Sequence, residues 1–213
     1  FAFDLGRFLS LDYIKSRQAE FTALAADKPL AVGGAFFAIY VAVCALSAAL
    51  AVLQDSRALA VIGAAGGFIA PILASTGQGD HVALFSYYAV LNAGILAIAL
   101  KKDWRLLNGV GFVFTFGIAT IWGALRYRPE LYESTQPFLI LFFAMFLAVA
   151  VLFARRRAGG GGVARTNAIV DATLVFGTPL IGFGLQAALV RGFEYGLAWS
   201  ALAVAAVYLL LAA

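Results

Sequence analysis

The sequence predicts an all-α fold, a polytopic bundle of about seven transmembrane helices, on three observations. Of the 213 residues, 63% are hydrophobic. Only 12% are charged, against about 25% in a soluble domain. The apolar residues also fall in long runs, several of them near the roughly 20 residues that a helix needs to cross a bilayer at about 1.5 Å per residue. A soluble fold of this length leaves much of its chain exposed and could not hide so much apolar surface. In hydrocarbon that surface needs no hiding. Only helices or closed barrels satisfy every backbone polar group there. Barrel strands would alternate apolar and polar residues, and runs such as Phe138–Phe153 do not alternate.

Residues 1–28 come first and differ from the rest. Leu5, Phe8, Leu9, Leu11, Ile14 and Phe21 are interspersed with Arg7, Asp12, Lys15, Arg17 and Glu20. This mixture fits an amphipathic or interfacial segment, or a tail helix packed on other domains. A transmembrane domain, 29–213, follows, with spans expected near 29–53, 58–74, 82–100, 106–125, 137–154, 168–190 and 195–213. The second span is short, contains Gly63, Gly66 and Gly67, and ends near Pro71, so it either crosses or dips in and returns. The loop at 75–80 has turn chemistry throughout. The stretch from Arg155 to Gly162 reads as a flexible, basic loop. The first residue is Phe1, not Met, and no signal-peptide pattern follows it. The chain therefore reads as an internal piece of a longer polypeptide.

Positive charge sets the expected orientation. Lys101, Lys102 and Arg105 lie in one loop, and Arg155, Arg156, Arg157 and Arg165 in another. The alternate loops hold only Arg126, Arg128 and Arg191. The basic loops, 101–105 and 155–167, are thus expected in the cytoplasm. The net charge of +4 follows from these loops, with no aromatic-interleaved basic surface of the kind that binds nucleic acid. One cysteine, Cys44, and one histidine, His81, are too few for a zinc or haem site. No nucleophile, metalloprotease or phosphate-loop motif occurs. The expectation is no enzyme, no catalytic residue, no metal and no cofactor.

Function could then reside only at polar or special positions within the spans. In the second span, Gly63, Gly67, Ala70 and Ala74 share a face. Small residues at that spacing let helices approach closely, and Gly66–Pro71 is also a candidate hinge. In the third, His81, Tyr88 and Asn92 share a face as packing contacts or as the lining of a polar cavity. In the fourth, Asn108, Thr115, Ala119 and Trp122 form a stripe. Thr115 and Thr120 are expected to bond the carbonyl one turn back, and Trp104 and Trp122 to mark an aromatic belt. In the sixth, Asp171 is the only acid inside a span, placed in the first turn with Thr166 and Asn167 as N-cap candidates. Asp171, Thr178 and Gly182 share a face with Gln186 at its margin. Pro179 takes the usual donor from the carbonyl of Val175, predicting a kink. The two readings of Asp171 are an interfacial packing charge and a buried carboxylate on a proton or solute path.

Several strings, in this order and spacing, resemble one bacterial family. They are Gln54–Ser56, Gly66–Gly77, Leu84–Tyr87, Leu91–Asn92, Trp104–Asn108 and Phe176–Leu180. The family is that of predicted membrane proteins catalogued as domain of unknown function 2339, and Gly66–Gly77 is the most specific match. The resemblance implies a bacterial inner-membrane protein with more helices than the seven here, and no mechanism. The expected function is a non-catalytic membrane scaffold or envelope-associated component. The alternative is a transporter or channel-like protein passing a small solute or protons near Asp171, Asn92 and His81. Expected partners are the lipid bilayer, the rest of the polypeptide and other membrane proteins, with no nucleic acid.

Overall fold

The computed structural model describes residues 23–24, 26–74, 80–158 and 165–212. The amphipathic segment expected over 1–28 lies almost entirely outside the described residues, as do most of the 75–80 loop and the glycine run at 159–162. Among the described residues the regular structure is all helical. The helices are α1 (Pro29–Leu53), α2 (Arg57–Ala74), α3 (His81–Lys101), α4 (Arg105–Arg126), α5 (Tyr132–Ala158), α6 (Arg165–Ala172), α7 (Thr178–Leu189) and α8 (Gly196–Ala212). A π turn, Thr173–Gly177, joins α6 to α7, and a short 3-10 turn, Pro129–Leu131, precedes α5. Taking α6, the π turn and α7 as one rod, seven rods stand where seven apolar runs were read.

Five of these rods are long and apolar enough to cross a membrane: Ala31–Leu53, His81–Lys101, Arg105–Arg126, Pro129–Arg156 and Ala168–Leu189. Two are shorter, Arg57–Leu73 and Gly196–Leu211. Large apolar side chains point outward along them. Leu53, Leu73, Leu125, Leu180 and Leu210 are all at least three-quarters exposed. Isolated exposed leucines are ordinary, but this many on most faces means that the surrounding medium is itself apolar.

The chain divides by contacts into two units, Phe1–Val43 and Cys44–Ala213. In the first, the described part is mainly the opening half of α1, with Ile39 and Val43 exposed. The second holds the bundle. There α3 packs along α5, α2 along α4, and α5 along α7, while α8 packs on α7.

The α1–α2 corner is built by its sequence, Gln54-Asp55-Ser56. Asp55 adopts a left-handed φ of 49°. Its N–H donates to the Val52 carbonyl at 3.3 Å, and the Ser56 N–H to that of Ala51 at 2.9 Å. This is the Schellman arrangement that satisfies the last carbonyls of a helix. Asp replaces the usual Gly because a short polar side chain tolerates this conformation. The Ser56 hydroxyl then accepts from the Leu59 N–H at 3.3 Å, capping α2. The Asp55 carboxylate accepts from Lys102 Nζ at 2.7 Å, which holds its carboxyl below the ordinary carboxylate value; Lys102 acts first through that hydrogen bond and then through its charge. A lowered folded pKa adds stability above the unfolded value and loses it as pH falls through the folded one. Acidification toward about pH 3 should therefore lower the unfolding midpoint of the wild-type protein in detergent more than that of Asp55→Asn. Equal losses in the two would remove this contribution.

Pro71 lies inside α2. Its ring supplies no N–H for the carbonyl of Gly67, four residues back, and crowds it. The Tyr87 hydroxyl on α3 donates to that carbonyl at 3.1 Å. Cys44 Sγ lies 3.5 Å from the same hydroxyl. One residue on, the Tyr88 hydroxyl donates to the Phe68 carbonyl at 2.9 Å. In the Gly66–Pro71 stretch, read as helix packing with a hinge as the alternative, two interhelical bonds thus tie α2 to α3. Tyr87→Phe should cost about 1–2 kcal/mol, and less in a Pro71→Ala background, where a backbone N–H returns to Gly67. A double-mutant cycle on unfolding in detergent checks this, and additive costs would reject the pairing.

α5 starts ahead of Pro137, which sits within the helix. Residues 132–136, read as loop, continue the rod. Their polarity marks the end of the apolar run, not a change of backbone: Glu133 is exposed there and Thr135 is buried. α6 begins at Arg165, so Thr166 and Asn167 lie within the helix and do not precede it as N-caps.

Candidate intramembrane polar site

α4 carries three of the polar side chains that the bundle buries. Arg105, Asn108 and Thr115 are all at most 4% exposed and lie along one face at helical spacing. They are interleaved with Gly111, Phe112 and Phe116, which are also buried.

At one end of this face, Arg105 Nη1 donates to Asp171 Oδ2. The Arg105 Nε donates to Asp103 Oδ1 at 3.3 Å. The guanidinium also lies 5.2 Å from the centroid of the Phe153 ring, within cation–π range. The two side chains of the Arg105–Asp171 pair are 4% and 11% exposed. Asp171 lies in the second turn of α6, not the first, so the helix dipole contributes little to it and Arg105 supplies the counter-charge. α4 and α6 come close enough for this because Gly109 lies against Val170, where a Cβ on the glycine would sit 3.3 Å from its methyl.

One turn in, Asn108 Nδ2 donates to the Trp104 carbonyl at 3.2 Å. Deeper still, Asn92 Nδ2 on α3 donates to Thr115 Oγ1 at 2.8 Å. Thr115 therefore serves a neighbouring helix, whereas Thr120 donates to the Phe116 carbonyl one turn back, at 2.7 Å. Asn92 Oδ1 and Asn108 Oδ1 are buried with no hydrogen-bond partner. A Cβ on Gly111 would come within 3.2 Å of Asn92 Oδ1 and 3.0 Å of Ile95, so a larger residue there would have to push these side chains aside.

Other polar positions are separated. His81 Nε2 is 2.8 Å from Ser134 Oγ on α5, and its ring stacks on Trp122 with centroids 4.9 Å apart. Tyr88 reaches α2. The face shared by His81, Tyr88 and Asn92 thus divides among three partner helices. Gln186 Nε2 donates to Ser200 Oγ on α8 at 3.1 Å. Thr178 is fully buried, and its hydroxyl has no partner. The π turn at 173–177 falls where Pro179 deprives Val175 of a donor. A π turn widens the backbone repeat to i→i+5, so the stripe from Asp171 to Gly182 loses its α-helical register there. Gly182 meets Phe143 and Gly177 meets Phe112 at contact distance. Gly67 likewise faces Cys44 and Leu91, and Gly63 faces Ser47. Trp104 is 5% exposed and belongs to the protein interior, whereas Trp122 is half-buried and packs one face on His81.

By sequence alone Arg105 reads only as a loop charge. Its spacing of three from Asn108 was the available signal that it faces inward. Arg156, also counted as a loop charge, donates from Nη1 to the Ala99 carbonyl and from Nη2 to that of Leu100, both at 2.8 Å. It thereby caps the end of α3, where a cation is favoured. Among the described residues no group of three or more His, Cys, Asp or Glu side chains is placed to hold a metal ion.

Long apolar rods, outward-facing leucines and buried polar contacts between helices define an integral membrane protein of the α-helical class. The family model described as predicted membrane protein (DUF2339) matches residues 21–213, and the chain belongs to that family. No curated protein and no solved structure matches it.

Proposed function

We propose that the chain is a non-catalytic scaffold or envelope-associated component of the bacterial inner membrane. In this reading α2 and α8 cross with the other helices, and the loops at 101–105 and 155–167 face the cytoplasm. The carrying observation is the Arg105–Asp171 pair. Asp171, the one acid inside the apolar runs read from the sequence, is held by a buried guanidinium, and a charge so paired favours a structural role over proton transfer. Asn92 with Thr115, Gln186 with Ser200 and Tyr87 with Gly67 similarly join neighbouring helices. Interhelical bonds of this kind contribute about 0.6–2 kcal/mol each. No residue in this reading has a catalytic role, and none binds a cofactor or metal.

A second reading, passage of a small solute or protons, draws on Asn92 Oδ1 and Asn108 Oδ1, which are buried without partners. Buried acceptors of this kind cost free energy unless hydrated. Proton flux into vesicles separates the two readings. The scaffold reading expects wild-type, Asp171→Asn and protein-free vesicles to dissipate an imposed gradient at the same rate. Faster dissipation by wild type that Asp171→Asn abolishes would establish transport instead.

A further inference from the structure

We propose that a groove at the end of the bundle opposite the Arg105–Asp171 pair binds an anionic phospholipid. One acyl chain lies in the groove and the headgroup phosphate lies on Arg191. The groove has a volume of about 880 Å³ and lies among α3, α4, α5 and α7. This falls within the roughly 300–1,000 Å³ of ordinary ligand sites. Its body is apolar, with Phe116, Phe138, Phe142 and Leu185 among its walls. Its polar groups lie toward the helix ends, where Tyr127 and Arg191 contribute. A molecule filling it would need an apolar tail and a polar end, which is the form of a membrane lipid.

Two observations specify the polar end. Among the described residues of the wall Arg191 is the one that carries a charge; the side chain is exposed, so the complementary headgroup carries negative charge. Thr135 also lines the groove. It is 6% exposed, and its hydroxyl has no partner among the protein groups. The hydroxyl is sealed from the groove as the side chain stands, and a turn to another χ1 rotamer would present it to a phosphate or ester oxygen as the missing acceptor. The mouth is shaped by the protein itself. The Tyr127 hydroxyl donates to the Leu189 carbonyl at 2.9 Å, which ties the α4–α5 connection to the end of α7. The Trp122 ring packs edge-on against Phe85 at 5.2 Å, which fixes one wall.

Trp122 is a built-in reporter, because it lines the groove. The test uses a Trp104→Phe, Trp199→Phe background of the full chain, reconstituted in phosphatidylcholine vesicles. A small fraction of brominated-chain lipid is added, either phosphatidylglycerol or phosphatidylcholine, and quenching of Trp122 is titrated. The proposal expects brominated phosphatidylglycerol to quench at about fivefold lower fraction than brominated phosphatidylcholine, the size of a single Arg–anion attraction at a membrane surface. Arg191→Gln should erase that preference, while Thr135→Val should weaken quenching by both lipids. Arg191 is exposed, so its substitution leaves the fold intact, and circular dichroism of the same samples verifies this. Equal quenching by the two lipids in wild type and Arg191→Gln would overturn the proposal as ordinary boundary lipid. Absence of quenching by either would overturn it in favour of a groove closed by another protein segment.

Discussion

Arg105→Leu is expected to destabilise the protein by about 3–5 kcal/mol, because it strips the guanidinium from the Asp171 carboxylate, which is only 11% exposed. Desolvated charge is the largest single cost that these contacts can expose. Asp171→Leu leaves a guanidinium in place of a carboxylate, and Arg105 retains Asp103 at 3.3 Å, so its cost should be smaller. The double substitution, Arg105→Leu with Asp171→Leu, should recover most of the loss, since apolar pairs of similar volume replace buried ion pairs at little cost. Unfolding of the four proteins in mixed micelles measures the cycle. A double variant as damaged as Arg105→Leu alone would show that Arg105 acts through something other than Asp171.

Gly182→Leu is the second large effect. An added Cβ at Gly182 would lie 2.8 Å from Cδ2 of Phe143 and 3.3 Å from Cε2, so even alanine forces the ring aside. Overpacking of a filled interior costs about 1–3 kcal/mol, and leucine adds branched bulk against the Phe143 ring of α5. Phe143→Ala in the same chain should restore much of the loss by vacating the space. Alanine at 182 should cost less than leucine. If Gly182→Leu unfolds at the wild-type midpoint, the close α5–α7 approach does not exist in the molecule.

The helices were legible because runs of Leu, Ala, Phe and Ile need only local counting. Their ends were less so. Residues 132–136 read as loop because Glu133, Ser134, Thr135 and Gln136 are polar, yet a helix that emerges from hydrocarbon keeps its hydrogen bonds while its side chains become polar. Pro179 announced a disturbed backbone, and the π turn at 173–177 lies beside it. Pro71 announced a carbonyl without a donor, but not that Tyr87 would fill the role, since the offset between α2 and α3 is a tertiary property.

The candidate polar site was half legible for the same reason. Asp171, Asn92 and Asn108 stood out as polar residues among apolar ones. Arg105 did not, because a cation at the edge of an apolar run looks like a loop residue. Only the packing of α6 on α4 through Gly109 brings Arg105 to Asp171. Likewise Ser134 lay in a segment taken as loop, and nothing local joined it to His81. The groove beside Arg191 draws its walls from four helices, so no single stretch of sequence carries its shape.

Extraction of the membrane fraction with alkaline carbonate, followed by size-exclusion chromatography, tests the account at its base. Helices that bury only their inner faces against one another must keep hydrocarbon on the outer ones. The protein should therefore stay in the pelleted membrane, leave it only with detergent, and aggregate when detergent is removed. A chain released by carbonate that ran as a monodisperse species in plain buffer would contradict this placement of the exposed leucines and the membrane reading built on it.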